Sequence, residues 1–360
     1  MCSKVTSLQP VTMDGITIPS HMKAIRYNSL KEFELVRLPV PEPAAHEILI
    51  KVQSCGICGT DLHIHDGDFE SRMPVVTGHE TSGIVVKMGT AVQGFSIGDK
   101  VTADNSELCQ HCHFCRQGKL LFCENFEAHG VHLNGGFAEY CTYSAGKLFK
   151  FSKSSWAEAT LFEATACAIH GVDRIRPPPG SKVLLLGAGA TGLCMGQLLK
   201  LNGSAPIVLA ANAGQKMDLA KTLRVADEYV DLDRKAPEPQ WERLRHDHPY
   251  GFDIVVEATG DPSIIETAMG LCGRGGTLVL YGVYPTEALV KISPSRVFLD
   301  EITVIGSFSQ MWCLPRAVAY IESGKVDVKG IVTHKYTLEE FGEALQAIRE
   351  KKCIKAAVMF

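Results

Sequence analysis

Four cysteines, Cys109, Cys112, Cys115 and Cys123, stand in the pattern C-x2-C-x2-C-x7-C. A glycine-punctuated segment this short has no room for an apolar core. Four thiolates converging on one zinc ion, with Zn–S bonds of about 2.3 Å, can take the place of that core. The competing uses are two disulfides or scattered buried thiols. They fit less well, because the chain holds 13 cysteines in all, an odd number with many outside the cluster, and nothing marks it as secreted. The spacing therefore predicts a closed structural zinc lobe, and the cysteine usage predicts a reducing, cytoplasmic setting.

With 360 residues the chain exceeds one ordinary domain, so two are expected. A hydrophobic content of 46% supplies full cores, and a formal charge of -4 with a pI near 6.4 gives no basis for binding nucleic acid or an anionic membrane. The partner expected is a small molecule. Residues 1–21 show neither a signal-peptide nor a transit-peptide pattern. No apolar run approaches the roughly 20 residues of a membrane span.

From Met22 to about Tyr143 short apolar runs, Ile48–Val52, Gly83–Val86 and Phe137–Thr142, alternate with Gly, Pro and Asp turn signals and read as β-rich. Ser155 and Glu158 have capping-box spacing and open a helix predicted to run toward Arg174. Pro177–Gly180 ends that helix and marks the best candidate domain boundary. Beyond it, apolar strands (Lys182–Leu186, Ile207–Ala211, Asp253–Glu257, Gly276–Tyr281) alternate with helical stretches (Thr191–Leu201, Gln215–Leu223, Pro262–Met269). That alternation predicts βαβ units in a doubly wound parallel sheet. Residues 234–250 read as a loop with a short helix. A strand is expected over Glu301–Phe308, with helices near Pro315–Glu322 and Leu338–Glu350.

Gly187-Ala188-Gly189-Ala190-Thr191-Gly192 is G-x-G-x-x-G, placed after a strand and opening a helix. Its glycines permit the tight turn and let the backbone approach a pyrophosphate at the helix N-terminus. The next strand ends at Ala211 and Asn212, where an NAD-binding domain usually carries an acid for the ribose 2′-OH. Ala211 removes the anion that would repel a 2′-phosphate, Asn212 can donate a hydrogen bond, and Lys216 adds charge one turn on. These residues predict NADP over NAD. The alternative is that Asp218 or another acid serves the ribose.

Upstream, Cys58-Gly59-Thr60-Asp61-Leu62-His63 and Gly78-His79-Glu80 supply one thiolate and one imidazole, the mixed set expected where zinc keeps a position open for substrate. Asp61 can orient the imidazole. A third protein ligand should be Glu163, with Glu80 as an exchanging or orienting carboxylate and Cys167 as the remaining candidate. Cys55 reads as packing, and His65 and Asp66 as solvated loop residues.

In this order the four elements, Cys58–His63, Gly78–Glu80, the cysteine quartet and Gly187–Gly192, resemble those of the zinc-containing medium-chain alcohol and polyol dehydrogenases over nearly all of Met22–Phe360. The resemblance implies an α/β architecture, a GroES-like β-rich catalytic domain plus a doubly wound Rossmann domain. The chain from about Glu301 would return to the catalytic domain, giving boundaries at 1–176 and 300–360 against 177–299. It implies two zinc ions per chain, a homodimer or homotetramer, and a cleft that holds the substrate. Glu163 with Glu80 resembles the polyol branch, and in particular the fungal D-arabinitol dehydrogenases that use NADP and give a ketopentose. Ala164 departs from the proline usual there, the loop between the Cys and His ligands is shorter, and the complete quartet is often missing in sorbitol dehydrogenases. Sorbitol or xylitol, threonine and simple secondary alcohols therefore stay open as substrates, and NAD as cofactor. The implied chemistry is hydride transfer from a zinc-polarised alcohol, with Thr60 taking the proton and passing it through the cofactor ribose to His63. Phe69, Phe308 and Trp312 are pocket candidates.

Overall fold

The computed structural model describes residues 11–13 and 16–360; the rest of the 1–21 segment, on which the leader expectation falls, lies outside them. Two compact units emerge. Among the described residues, one comprises 11–13, 16–160, 334–350 and 356–360, the other 161–333 and 351–355.

The first unit is built on the strand Glu47–Ile57, the centre of a seven-stranded sheet. It pairs antiparallel with Glu80–Met88, with Tyr140–Ser144 along its first half and with Lys355–Met359 along its second. Alternate side chains serve two cores. Ile48, Ile50 and Val52 pack with Val85, Val101 and Tyr143, while Leu49 packs with Met22, Ala24, Val86 and Tyr140 on the other face. Because both faces are covered, the polar alternation that marks a half-exposed strand is missing, and only the apolar stretch Ile48–Val52 was visible in sequence.

The second unit is a six-stranded parallel sheet in the spatial order Glu228–Leu232, Ile207–Asn212, Val183–Leu186, Phe252–Glu257, Cys272–Leu280, Thr303–Gly306. Its strands are near-continuous Val, Leu and Ile, as burial on both faces requires. Leu184, Leu186, Val208, Val255 and Leu278 form one core with Trp241, Leu244, Ile265 and Ala268 from the covering helices. Strand order reverses between Val183–Leu186 and Phe252–Glu257. A ligand crevice opens at the carboxyl ends of strands at such a point.

Three expectations change in detail. The capping box of Ser155 and Glu158 is present, but it starts only the short helix Trp156–Ala159, and the chain restarts as Phe162–Ile175. Residues 234–250 carry a ten-residue helix, Glu238–Asp247, where a short one was expected. The units divide at 160/161 and 333/334, where 176/177 and 299/300 were expected. Packing explains both shifts. Phe162–Ile175 lies along the Rossmann helix Ala190–Leu201 and against Leu314–Glu322, where Arg316 Nη1 donates to Asp173 Oδ1 at 3.0 Å. Thr303–Gly306 adds to the parallel sheet beside Cys272–Leu280, with Thr277 opposite Thr303.

Candidate active site and metal centres

Register brings the first metal-binding group together. In the antiparallel pair, Gly56 lies opposite Glu80, so the chain leaving one strand at Cys58 runs beside the chain entering the other at His79. Gly78 makes the approach possible. Its φ is +97°, and a Cβ there would meet Phe137 N at 2.7 Å and Cys55 Sγ at 2.9 Å, a conformation and a gap that suit only glycine. One donor atom each from Cys58, His79 and Glu80 lies within 4.8 Å of the others. His79 and Glu80 are buried, and Cys58 is half-buried.

Asp61 ties this group together. It sits in the first turn of the helix Gly59–Asp66, 2% exposed. Its Oδ2 accepts the backbone N–H of Cys58 at 2.9 Å, and its Oδ1 faces His79 Nδ1 at 3.6 Å. One carboxylate thus hydrogen-bonds the backbone of one donor and faces the ring of the other. Burial opposes charge on His79, but the Asp61 carboxylate and the Cys58 sulfur outweigh it and raise its pKa well above the ordinary histidine value. The environment therefore favours positive charge at this point. Soft sulfur, borderline imidazole and hard carboxylate donors within one ion's reach suit Zn²⁺.

Thr60 Oγ1 stands 3.7 Å from Cys58 Sγ. His63 is partly exposed on the same helix, its Nδ1 3.6 Å from Asp68 Oδ2. Of the residues expected to be solvated, His65 accepts or donates a 3.0 Å hydrogen bond with Tyr27 OH, and Asp66 pairs with Arg349 at 2.7 Å. Both tie the helix to its surroundings. Cys55 is fully buried, its thiol pushed strongly up by burial, which fits packing rather than ligation. Glu163 and Cys167 lie in the second unit, on Phe162–Ile175. Glu163 is 7% exposed and its Oε1 accepts from Cys167 Sγ at 3.3 Å.

The second cluster is local. The sulfurs of Cys109, Cys112, Cys115 and Cys123 all lie within 4.8 Å of one another, and all four cysteines are free thiols. Cys109 and Cys123 sulfurs are 3.5 Å apart, close to the roughly 3.8 Å edge of a tetrahedron with 2.3 Å Zn–S bonds. Cys112 Sγ accepts from Cys115 N at 3.5 Å and Cys123 Sγ from Cys109 N at 3.4 Å. Such N–H···S contacts stabilise thiolates; the His111 N–H leads in bringing Cys109 down to about 6. Leu108, Phe114, Leu120 and Phe126 pack around the cluster. Four converging sulfurs with amide donors fit one zinc and leave no open position.

In the second unit Gly187 has φ +112°, and a Cβ there would meet Ala258 O at 3.1 Å; one on Gly192 would meet Gly187 O at 2.3 Å. A Cβ on Gly189 would meet nothing. The first and third glycines thus serve close packing, and the second borders open space where a pyrophosphate can approach the start of the helix Ala190–Leu201, with Ala190 and Thr191 in its first turn. Ala211 is half-buried and Asn212 exposed at the end of the neighbouring strand, with Lys216 half-buried on the following helix.

Comparison with known proteins places the chain in a family. Residues 44–153 match the family described as "Alcohol dehydrogenase GroES-like domain" and residues 190–322 the one described as "Zinc-binding dehydrogenase". D-arabinitol dehydrogenase 1 of Uromyces fabae is 51% identical over 342 residues, covering 95% of this chain and 98% of the relative. The chain belongs to the zinc-binding alcohol and polyol dehydrogenases. An L-threonine 3-dehydrogenase of Pyrococcus horikoshii is 32% identical over 91% of this chain and 94% of its own. A zinc-binding dehydrogenase of Sinorhizobium meliloti bound to NADP superposes with a TM-score of 0.88 at 32% identity, covering 95% of this chain and all of the other. The expected fold class, GroES-like plus Rossmann, and the expected enzyme class both stand. No helix among the described residues is long and apolar enough to cross a membrane.

One polar feature of this dehydrogenase escaped sequence reading. Glu257, fully buried at the carboxyl end of its strand, accepts from Thr259 N at 2.7 Å, from Gly260 N at 3.2 Å, and from the hydroxyls of Thr259 and Tyr284. It pins two loops at the edge of the crevice; a Cβ on Gly187 would touch the adjoining Thr259 side chain at 3.1 Å. The signal was present as an acid closing an otherwise apolar strand before Ala-Thr-Gly.

Proposed function

We propose that this chain is an NADP-dependent polyol dehydrogenase acting on a secondary alcohol of a D-arabinitol-like pentitol and giving a ketopentose, with one catalytic and one structural zinc per chain. The observation that carries the reading is the 51% identity to a D-arabinitol dehydrogenase across 95% of the chain, joined to the Cys58–His79–Glu80 convergence. When bound, zinc supplies Lewis acidity that lowers an alcohol's pKa and the nicotinamide supplies the hydride acceptor. Cys58 and His79 hold the metal, with a carboxylate from Glu163 or Glu80 completing the protein set. Asp61 keeps both donors in orientation. Thr60 Oγ1 would accept the substrate's hydroxyl proton while giving up its own, which passes on to His63 and from there to solvent. The quartet holds the structural ion. Gly187, Gly189, Ala190, Thr191 and Gly192 receive the pyrophosphate, while Ala211, Asn212 and Lys216 meet the adenosine ribose.

A homo-oligomer is part of the reading. Leu289, Phe298 and Leu299 are 95, 79 and 70% exposed, close in sequence to the outermost strand of the parallel sheet, and exposed apolar side chains of this size are suited to a second subunit. Free thiols throughout the described residues support a reducing, cytoplasmic compartment.

Steady-state rates on pentitols, hexitols, L-threonine and simple alcohols, each with NADP and NAD, test the assignment. The expected outcome is the highest kcat/KM with D-arabinitol and NADP. A higher value with L-threonine would transfer the chain to the amino-alcohol branch, which its 32% identity to a threonine dehydrogenase makes the second reading.

A further inference from the structure

The stretch 128–137 joins the quartet lobe to the backbone that presents His79. Ser106–Glu107 enters the lobe and pairs antiparallel with Glu127–Ala128, which leaves it, and His129 is the next residue. From there the chain folds back on itself, with Gly130 N donating to Leu133 O at 2.7 Å, and then runs along residues 76–78. Gly135 N donates to Val76 O at 2.8 Å, Phe137 N to Thr77 O at 2.9 Å and Gly136 N to Gly78 O at 2.7 Å, while Asn134 Oδ1 accepts from Val76 N at 3.0 Å. The three residues that precede His79 thus each have their carbonyl held by this loop. The fit is close. A Cβ on Gly130 would stand 2.8 Å from His79 N, and one on Gly135 2.1 Å from Gly78 O.

The His129 side chain fastens the start of the loop. Its Nδ1 donates to Asn134 O at 2.9 Å, its Nε2 faces Glu107 Oε1 at 3.6 Å, and its ring centroid lies 4.5 Å from that of the fully buried Tyr143. Acceptors at both nitrogens suit the doubly protonated ring. Burial opposes that charge, but the Cys141 sulfur and the Glu107 carboxylate outweigh it and push the His129 pKa up to about 10. The side chain is only 12% exposed, and the hydride-transfer chemistry makes no use of it. Asn134 carries the contact onward, its carbonyl taking His129 and its side chain taking Val76 N.

We propose that His129 is a positioning residue for the open metal centre: held between Glu107 and the Asn134 carbonyl, it keeps the loop 130–137 seated on residues 76–78 and so fixes where the His79 imidazole meets Cys58 and Glu80. Neighbours that are not ligands set donor geometry in this way. The inference rests on the reading of that group as a zinc site and adds a determinant that lies far from its donors in sequence.

Zinc affinity of the open site, measured on the purified enzyme by competition with a chromophoric chelator, tests it together with the ligand-field absorption of the cobalt-substituted protein. An asparagine side chain can place its amide N–H where Nδ1 stands, and a glutamine its amide where Nε2 stands. His129→Asn therefore keeps the bond to Asn134 and gives up Glu107, whereas His129→Gln does the reverse. His129→Gln should lose about tenfold or more in open-site affinity and shift the cobalt bands, while His129→Asn stays close to the wild type in both. A general structural role would instead make affinity follow melting temperature in the two variants alike. Asn134→Ala, which removes the acceptor of Val76 N further along the same path, should lower the affinity as His129→Gln does, and combining the two should cost less than the sum of their separate losses. The quartet should keep its zinc throughout. Open-site affinity in His129→Gln equal to or above that in His129→Asn overturns the proposal and leaves the zinc reading standing, as does an unchanged affinity in Asn134→Ala. A wild type that binds only the quartet's ion overturns both.

Discussion

The two sulfur-bearing centres differ in how the chain brings them together. The quartet is assembled from 15 consecutive positions, 109–123, in a lobe whose donors are all thiolates and whose supporting hydrogen bonds are backbone amides within the lobe. The Cys58–His79–Glu80 group joins the ends of two antiparallel strands, mixes three donor chemistries, and depends on Asp61 and on the passage at Gly78. A closed, homogeneous shell can hold a fold together but has no place for a substrate. An open, mixed shell can bind one, and its geometry must then be set by neighbours that are not ligands.

The largest effect should separate the centres outright. His79→Ala removes a donor from the open group and should lower kcat by about three orders of magnitude or more, with far-UV circular dichroism and melting temperature little changed and one zinc per chain remaining. Cys115→Ser should also leave one zinc per chain, but the loss should appear first as a lower melting temperature or altered assembly, activity falling with the folded fraction. If the two variants show the same profile, the distinction between a catalytic and a structural metal fails. Zinc content measured by atomic emission, alongside calorimetry and initial rates, decides it.

A smaller effect tests whether orientation resides in Asp61. Asp61→Asn keeps the size and a carbonyl acceptor for Cys58 N–H but removes the charge facing His79. Zinc affinity at the open site should fall about tenfold to a hundredfold, read by competition with a chromophoric chelator, while the quartet keeps its metal at the same chelator concentration. Equal loss from both sites would mean that Asp61 supports the fold rather than the donors.

Legibility followed the same division. The quartet could be read because all its information lies in spacing over 15 residues. Cys58 and His79 could be named by residue type, but their meeting depends on the register of Gly56 with Glu80, which no local pattern encodes. That register also brings Glu80 to the other two donors, and whether it or Glu163, the carboxylate preferred from sequence, completes the set is part of the proposal. The capping box at Ser155 announced a helix correctly. The break at Thr160–Leu161 was invisible, because Phe162–Ile175 is equally helical in pattern and its packing on Ala190–Leu201 is tertiary. Strand order is likewise a property of topology.

The smallest effect compares two glycines, one in each region. Gly118, in the quartet lobe, has φ +71° and nothing within 4 Å of where a Cβ would stand, whereas Gly78 has φ +97° and would bring a Cβ to 2.7 Å from Phe137 N. Gly118→Ala should therefore cost only the left-handed backbone penalty, about 1–2 kcal/mol. Gly78→Ala carries a comparable backbone cost and adds overpacking of about 1–3 kcal/mol, against backbone that has no rotamer to yield. Because Gly78 precedes His79, the shift that relieves the clash must also move a metal donor. Gly78→Ala should thus lower zinc affinity at the open site as well as stability, while Gly118→Ala lowers stability alone. Denaturant unfolding with parallel zinc competition reads both quantities. Equal stability losses with both sites keeping their metal would show that the strand crossing tolerates displacement, and that the open centre depends on its surroundings no more than the closed one.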